Sequence, residues 1–356
     1  MEPRLEFCPR CGVPLYIARE HSWLDSGAIV QTHSPTVRPY FLECDGFDLI
    51  WKKMEDLSGV PLEREIIEGK RKNVKIYLLR HFPDRVREAL RKRETDWQPL
   101  NHGLRLIARL TGYGRYEVVS FRLQGEPDDF ITETVLYPPS RPLACGNMAA
   151  AFEVLLGRDF DVTYRVLEEN LLEITAFPTP GERREEAEAR MYFYRPGGIE
   201  HARCTECGAP RELERFRWET GTGVIVDKNT GMRMAIMGPE MESIFRDLVD
   251  RHGSGFERHI VEANRAYCAS AFRHLPEDPE RLRTELALRG LGELREFEFY
   301  KGGAYLKVFQ AGLHHVLVGA AQGYFEGIRG YETTVDWESG EDGSLEIEIR
   351  PRNMAI

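Results

Sequence analysis

Alternating apolar and polar runs at 117–123, 132–137, 297–300 and 305–310 predict strands, since successive strand side chains face opposite ways. Short apolar runs at 28–30 and 224–226 add two strand candidates, and 171–176 and 344–350 read as closing strands. Helical spacing predicts helices over 47–57 and 240–251, ended by Gly59 and Gly253. The Ile-rich segment 63–79 and its like at 257–272 carry the same period. Both stop just ahead of His-x-Pro, where proline cannot continue a helix. Further helices are expected at 84–94, 279–289, 147–156 and 319–328. Together these elements give an α+β class with antiparallel sheets and helices on one side.

The pattern also repeats. Cys8-Pro9-Arg10-Cys11-Gly12 recurs as Cys204-Thr205-Glu206-Cys207-Gly208. Trp23 and Gly27 precede Ala28-Ile29-Val30 as Trp218 and Gly223 precede Val224-Ile225-Val226. Residues 63–68 match 257–262, Arg71 matches Arg265, and Arg80-His81-Phe82-Pro83 matches Arg273-His274-Leu275-Pro276. Gly112-Tyr113-Gly114 then pairs with Gly290-Leu291-Gly292. The last block pairs Gly146 with Gly319, Phe152-Glu153 with Phe325-Glu326, and Leu172-Glu173-Ile174 with Leu345-Glu346-Ile347. Six blocks in one order make chance a poor explanation. We read two tandem copies of one domain, 1–180 and 199–356, joined by a Pro- and Gly-bounded linker at 181–198. Related by a pseudo-twofold axis, such copies would meet through equivalent faces.

Composition changes the picture in three ways. With 42% hydrophobic and 30% charged residues, the 356-residue chain is long enough for two domains with cores of their own. A net charge of −10 argues against nucleic acid as a partner, because phosphate neutralisation needs a basic surface. The basic stretch 70–93 reads as a solvated helix face. No apolar run reaches the roughly 18–20 residues of a membrane span, and residues 1–12 lack the pattern of a secretory signal, so a cytoplasmic protein is expected.

Of seven cysteines, four stand in the two Cys-x-x-Cys pairs, which suits metal-binding thiolates in a reducing compartment better than disulfides. Each Cys-x-x-Cys-Gly is a turn that aims two thiolates at one ion. A closed structural zinc site needs four ligands, and each copy supplies two. The economical arrangement is one shared site of Cys8, Cys11, Cys204 and Cys207. The alternatives are two separate sites completed by His201, Cys44 or His21, or no metal. Zinc is expected over iron, although Cys-Pro-Arg-Cys-Gly resembles a rubredoxin knuckle. With every position filled by protein, the ion would stabilise structure and do no chemistry.

His81 and His274 hold matching positions and are candidate ligand-binding residues, as are Trp23 and Trp218. Each has a plainer reading. A His at a helix C-terminus offsets the dipole, and a Trp usually belongs to the core. Arg64–Glu68 and Arg258–Glu262 have the spacing of helix ion pairs. His314-His315 reads as a core or turn pair. No phosphate-binding Gly loop, G-x-S-x-G or H-E-x-x-H occurs, and Cys145, a conceivable nucleophile, has Val318 at the matching position.

The block from Ala144-Cys145-Gly146 through Leu155-Leu156-Gly157-Arg158, with the Gly112-Tyr113-Gly114 and Gly290-Leu291-Gly292 turns, resembles the 4-vinyl reductase (hydrocarbon-binding) domain family. The resemblance covers about two thirds of each copy. It departs where sensor members keep zinc-binding cysteines, for here stand Val166-Leu167-Glu168 and Asn170-Leu171-Leu172. It implies an α+β fold akin to haem-NO-binding domains, dimer-like pairing of the copies, and an apolar pocket for an aromatic or lipid-like molecule.

Three functions follow as expectations. The first is a binder or sensor of a small hydrophobic, aromatic or tetrapyrrole molecule, with structural zinc. The second is an enzyme acting on such a substrate, and the third a scaffold for a protein partner.

Overall fold

The computed structural model describes residues 5–180, 191–271, 278–300 and 302–352. These form a mixed α/β molecule with four antiparallel sheets and ten α-helices among the described residues. The chain begins with α1 (Leu15–Glu20), the hairpin β1 (His21–Trp23) and β2 (Ile29–Gln31), then β3 (Tyr40–Glu43) and α2 (Phe47–Ser58). It continues through α3 (Glu63–His81), α4 (Asp84–Arg91), α5 (Gln98–Thr111), β4 (Arg115–Arg122) and β5 (Phe130–Leu136). Then come α6 (Arg141–Leu156), β6 (Phe160–Glu168) and β7 (Leu171–Pro178).

After the connecting segment, a 3-10 turn (Arg211–Arg215) leads into β8 (Phe216–Glu219), β9 (Val224–Asp227) and β10 (Arg233–Met237). The remainder is α7 (Glu240–His252), α8 (Phe256–Ala271), α9 (Pro279–Leu288), β11 (Glu293–Tyr300), β12 (Gly303–Phe309), α10 (His314–Arg329), β13 (Thr333–Ser339) and β14 (Leu345–Pro351). Most expected elements lie within a few residues of these bounds. Several were not anticipated, among them α5, β3, β10, β6 and β13. The expected helices 84–94 and 279–289, read as matching elements ahead of the two Gly-x-Gly turns, do not hold matching places. Helix α9 runs directly into the Gly290–Gly292 turn and a strand, the place that α5, not α4, holds ahead of Gly112–Gly114.

Two four-stranded sheets have the same order: β4-β5-β7-β6 and β11-β12-β14-β13. Each is backed by a helix pair, α3 with α6 and α8 with α10. The pairs pack closely because α6 and α10 present glycine to the neighbouring backbone. A Cβ on Gly146 would lie 2.7 Å from the Ile67 oxygen, and one on Gly319 2.2 Å from that of Val261. In both pairs an arginine of the long helix donates to a buried glutamate of its partner, Arg71 to Glu153 and Arg265 to Glu326.

The N-terminal segments cross over. Helix α2 packs on α8, and α7 packs on α3. Strand β3 joins the sheet β3-β10-β9-β8, with Tyr40 opposite Met237 and Glu43 opposite Met234. One core therefore spans both halves of the chain. Trp51, on α2, lies 5.3 Å from Phe245 of α7 in a tilted ring contact. The spacing of Phe47, Ile50, Trp51 and Met54 puts the buried stripe of α2 against that core. A second cluster surrounds the knuckles, where Ile17, Phe41, Leu213, Phe216 and Ile236 are buried.

Residues 181–190 of the expected linker lie outside the described residues. Its remainder, without regular structure, binds the first hairpin. Tyr194 Oη donates to Asp25, and the Tyr192 N–H to the Thr36 carbonyl.

Candidate metal centre and cavities

Each knuckle is built by its own backbone. The Cys8 N–H donates to the Val13 carbonyl and the Gly12 N–H to that of Cys8, with Gly12 at φ +73°. Cys204, Ala209 and Gly208, at φ +76°, repeat these bonds. A glycine is favoured at that φ because a side chain there would meet its own backbone.

The knuckles face one another. Cys8 Sγ lies 3.7 Å from Cys204 Sγ, and Cys11 Sγ 3.5 Å from Cys207 Sγ. All four sulfurs fall within 4.8 Å of one another. A tetrahedral ion at the usual zinc–sulfur length of about 2.3 Å sets its thiolates about 3.8 Å apart. The four cysteines therefore could hold a metal ion, and they form the one such group of three or more metal-ligating side chains among the described residues. His21 and His201 are held neutral by burial, down to about 4, and Cys44 sits in the main core.

Charge within the cluster is uneven. Backbone N–H groups of Cys207 and Glu206 draw the Cys204 thiol down to about 6. Burial pushes Cys11 and Cys207 upward. Four sulfurs this close resist ionising together until a cation offsets their repulsion. Arg10 Nη1 donates to Thr205 Oγ1 at 2.8 Å, tying the two turns together at the rim.

Trp23 and Trp218 brace the cluster. Trp23 Nε1 donates to the Leu288 carbonyl at 2.9 Å, and Trp218 Nε1 to that of Leu110 at 3.1 Å. Each knuckle segment is thereby fastened to the sheet-bearing part of the other half. Neither Trp lines a cavity described below. His81 is exposed at the end of α3, with Nδ1 2.7 Å from the Tyr77 carbonyl, and His274 lies outside the described residues. His314 and His315 open α10, next to Ser339 and Glu257. Cys145 is fully buried, and burial pushes its thiol up to about 12, which removes its nucleophilic character at neutral pH. Arg64 does pair with Glu68, whereas Arg258 lies over the Trp337 ring and Glu262 pairs with Arg265.

Among the cavities of the described residues, two lie between the helices and the large four-stranded sheets. The second-half cavity encloses about 1190 Å³, mouth included. Its walls are Leu42, Phe47 and Ile50 from the first half and Leu286, Leu306 and Phe325 from the second. A ladder of Arg215, Glu285, Arg289 and Glu43 closes one side, linking the two halves by charge-assisted hydrogen bonds. The first-half cavity spans about 1030 Å³ with the solvent space at its mouth included. It combines Val37, Leu104 and Ile236 with Lys70, Glu240, Glu133 and Tyr116.

Lys70 shows that the basic stretch is not solvated at its start. Its side chain is 1% exposed and pairs with Glu240, while its Nζ donates to Tyr113 Oη at 2.9 Å. Tyr113 Oη in turn donates to Glu240 at 3.1 Å. Burial alone would push the Glu240 carboxyl up, but the Lys70 charge outweighs it and keeps Glu240 ionised. Sequence reasoning missed these groups. The available signal was Lys70 standing on the face of α3 that carries Ile66 and Ile67.

No protein-family model matches the chain, and no curated protein matches it in sequence. No helix among the described residues is long and apolar enough to cross a membrane.

Proposed function

We propose that the chain is a small-molecule-binding protein made of two related halves, held together by a structural zinc ion at Cys8, Cys11, Cys204 and Cys207. The observation that carries this reading is the second-half cavity. Its lining is mostly apolar apart from the wall of Glu43, Glu285 and Arg289, and both halves supply its walls. Such a cleft between packed elements is where small hydrophobic ligands bind. The ligand class is aromatic or lipid-like, in keeping with the resemblance to the hydrocarbon-binding family. The zinc reading rests on the sulfur spacing and on an all-thiolate donor set, which suits zinc. When bound, the ion would cross-link the halves; the four thiolates would hold it, and Trp23 and Trp218 would keep the knuckles in register.

Because residues 42–50 wall a cavity that belongs mainly to the second half, ligand occupancy would bias how the halves pack. This is the physical basis for a sensing role. Native mass spectrometry of the freshly purified chain, beside its denatured mass, tests both parts. The expected result is one zinc per chain and a further mass excess from a hydrophobic ligand. Two metals per chain would overturn the shared site. A chain that neither carries a ligand nor takes up naphthalene would overturn the binding reading.

A further inference from the structure

The two cavities occupy matching places in the two sheets, yet their chemistry differs at three positions. Glu133 on β5 stands opposite Ile174, as Leu306 on β12 stands opposite Ile347. Tyr116 on β4 pairs with Val135, as Leu294 on β11 pairs with Val308. Asn147 of α6 lines the first cavity where Ala320 of α10 lines the second. At Leu306 and Ala320 the second cavity is therefore apolar where the first carries a carboxyl and an amide, and Leu294, in the strand position of the Tyr116 phenol, is not part of its lining.

Two of these groups are underused. Tyr116 is 5% exposed, and beyond a contact with the Asn147 side chain its hydroxyl has no hydrogen-bond partner among the described residues. Glu133 is 2% exposed, and Asn101 Nδ2, at 3.0 Å, is its one hydrogen-bond partner among them. Leaving hydrogen-bonding capacity unused in a buried place is costly, and a suitable ligand would recover that cost. Both lie on adjacent strands of one sheet and line the same space.

Charge in the cavity decides the kind of head group. The Lys70 and Glu240 charges offset each other at contact distance. Burial pushes the Glu133 carboxyl up towards its neutral form, outweighing the Asn101 hydrogen bond and the Arg105 charge that oppose it. His21 is held neutral by burial. A charged head of either sign would add an excess charge beside the matched Lys70–Glu240 pair. A neutral hydroxyl meets both needs with one group, donating to Glu133 and accepting from Tyr116.

We propose that the first-half cavity is a second ligand site, selective for an apolar molecule bearing a neutral hydroxyl, such as a phenol or alcohol, that is held between Glu133 and Tyr116. This rests on the small-molecule reading above and gives the two halves different ligands. The apolar walls bind the body of the molecule, and the polar pair rejects plain hydrocarbons because they would leave both groups unmatched.

Titration calorimetry of the full chain with naphthalene, 2-naphthol and 2-(aminomethyl)naphthalene tests it. The expected result is one site for naphthalene and two for 2-naphthol. Glu133→Leu, which copies the second cavity, should weaken one 2-naphthol site by about tenfold or more and open a second naphthalene site. Tyr116→Phe should weaken the same site while keeping its shape, which guards against a folding artefact in the first variant. Naphthalene binding with no second 2-naphthol site, or with that site unaffected by either variant, would overturn this proposal alone. Tighter binding of the ammonium compound at that site would overturn the neutral head group. No uptake of any probe would overturn the small-molecule reading as well.

Discussion

Gly27 and Gly292 meet backbone to backbone: the Gly292 N–H donates to the Gly27 carbonyl at 3.1 Å, and a Cβ on Gly27 would lie 2.3 Å from the Gly292 oxygen. Gly114 and Gly223 make the same contact between the other hairpin and the other sheet, at 3.0 Å. Gly27 also sits at φ +71°. Gly27→Ala should therefore cost about 3 kcal/mol by combining strain and clash. Gly59→Ala, at the same φ but with open space around it, should cost about 1 kcal/mol. Urea unfolding of the two variants measures the difference. Equal losses would mean that the close approach at Gly27 carries no energy.

The metal centre predicts shared stability. Cys8→Ser and Cys204→Ser should each abolish zinc binding and lower the melting temperature of the whole chain in a single transition. Cys44→Ser should leave the metal content at its original value. Calorimetry with metal analysis checks this, and separate early melting of the first half alone would count against a shared ion.

Lys70 and Glu240 are both buried and belong to different halves. Removing one partner leaves an uncompensated charge, so Lys70→Met should destabilise by about 3–5 kcal/mol. The double variant Lys70→Met with Glu240→Leu should recover most of that loss, since an apolar pair fills the same space without desolvated charge. A double-mutant cycle in urea reads the coupling.

Acid should loosen the junction at Glu285. Burial pushes this carboxyl up, but Arg215 and Arg289 outweigh it and hold it below the usual range. A depressed folded value means its stabilisation is complete above the unfolded value near about 4.3. That stabilisation is lost as pH falls through the lower folded value. Glu285→Gln should flatten the acid limb of stability below about pH 5, as measured by denaturant unfolding at stepped pH. An acid limb as steep as that of the original chain would assign the loss to other carboxylates.

Local chemistry explains which parts were legible. Gly59 closes α2 in the left-handed conformation, and Pro83 follows the end of α3, so those boundaries stand close to where the residues place them. β3 and β10 were not legible, because each is four or five residues long and pairs with the other across most of the chain. Helix α5 was hidden because Asn101, His102 and Gly103 interrupt its apolar face.

The sequence by itself determined the repeated order of blocks and the two knuckles with two thiolates each, since turn geometry and ligand chemistry are local properties, whereas the meeting of the four sulfurs was decided by the tertiary structure. Only the tertiary structure decided that the N-terminal segments cross over, so that Trp23 reaches Leu288 and Trp218 reaches Leu110. It also decided that Lys70 is buried against Glu240 and that Glu133 and Tyr116 face one cavity while Leu306 and Leu294 take the matching places in the other sheet. Those outcomes depend on which surfaces exclude water together, and residues far apart in the chain settle that only when the halves are packed.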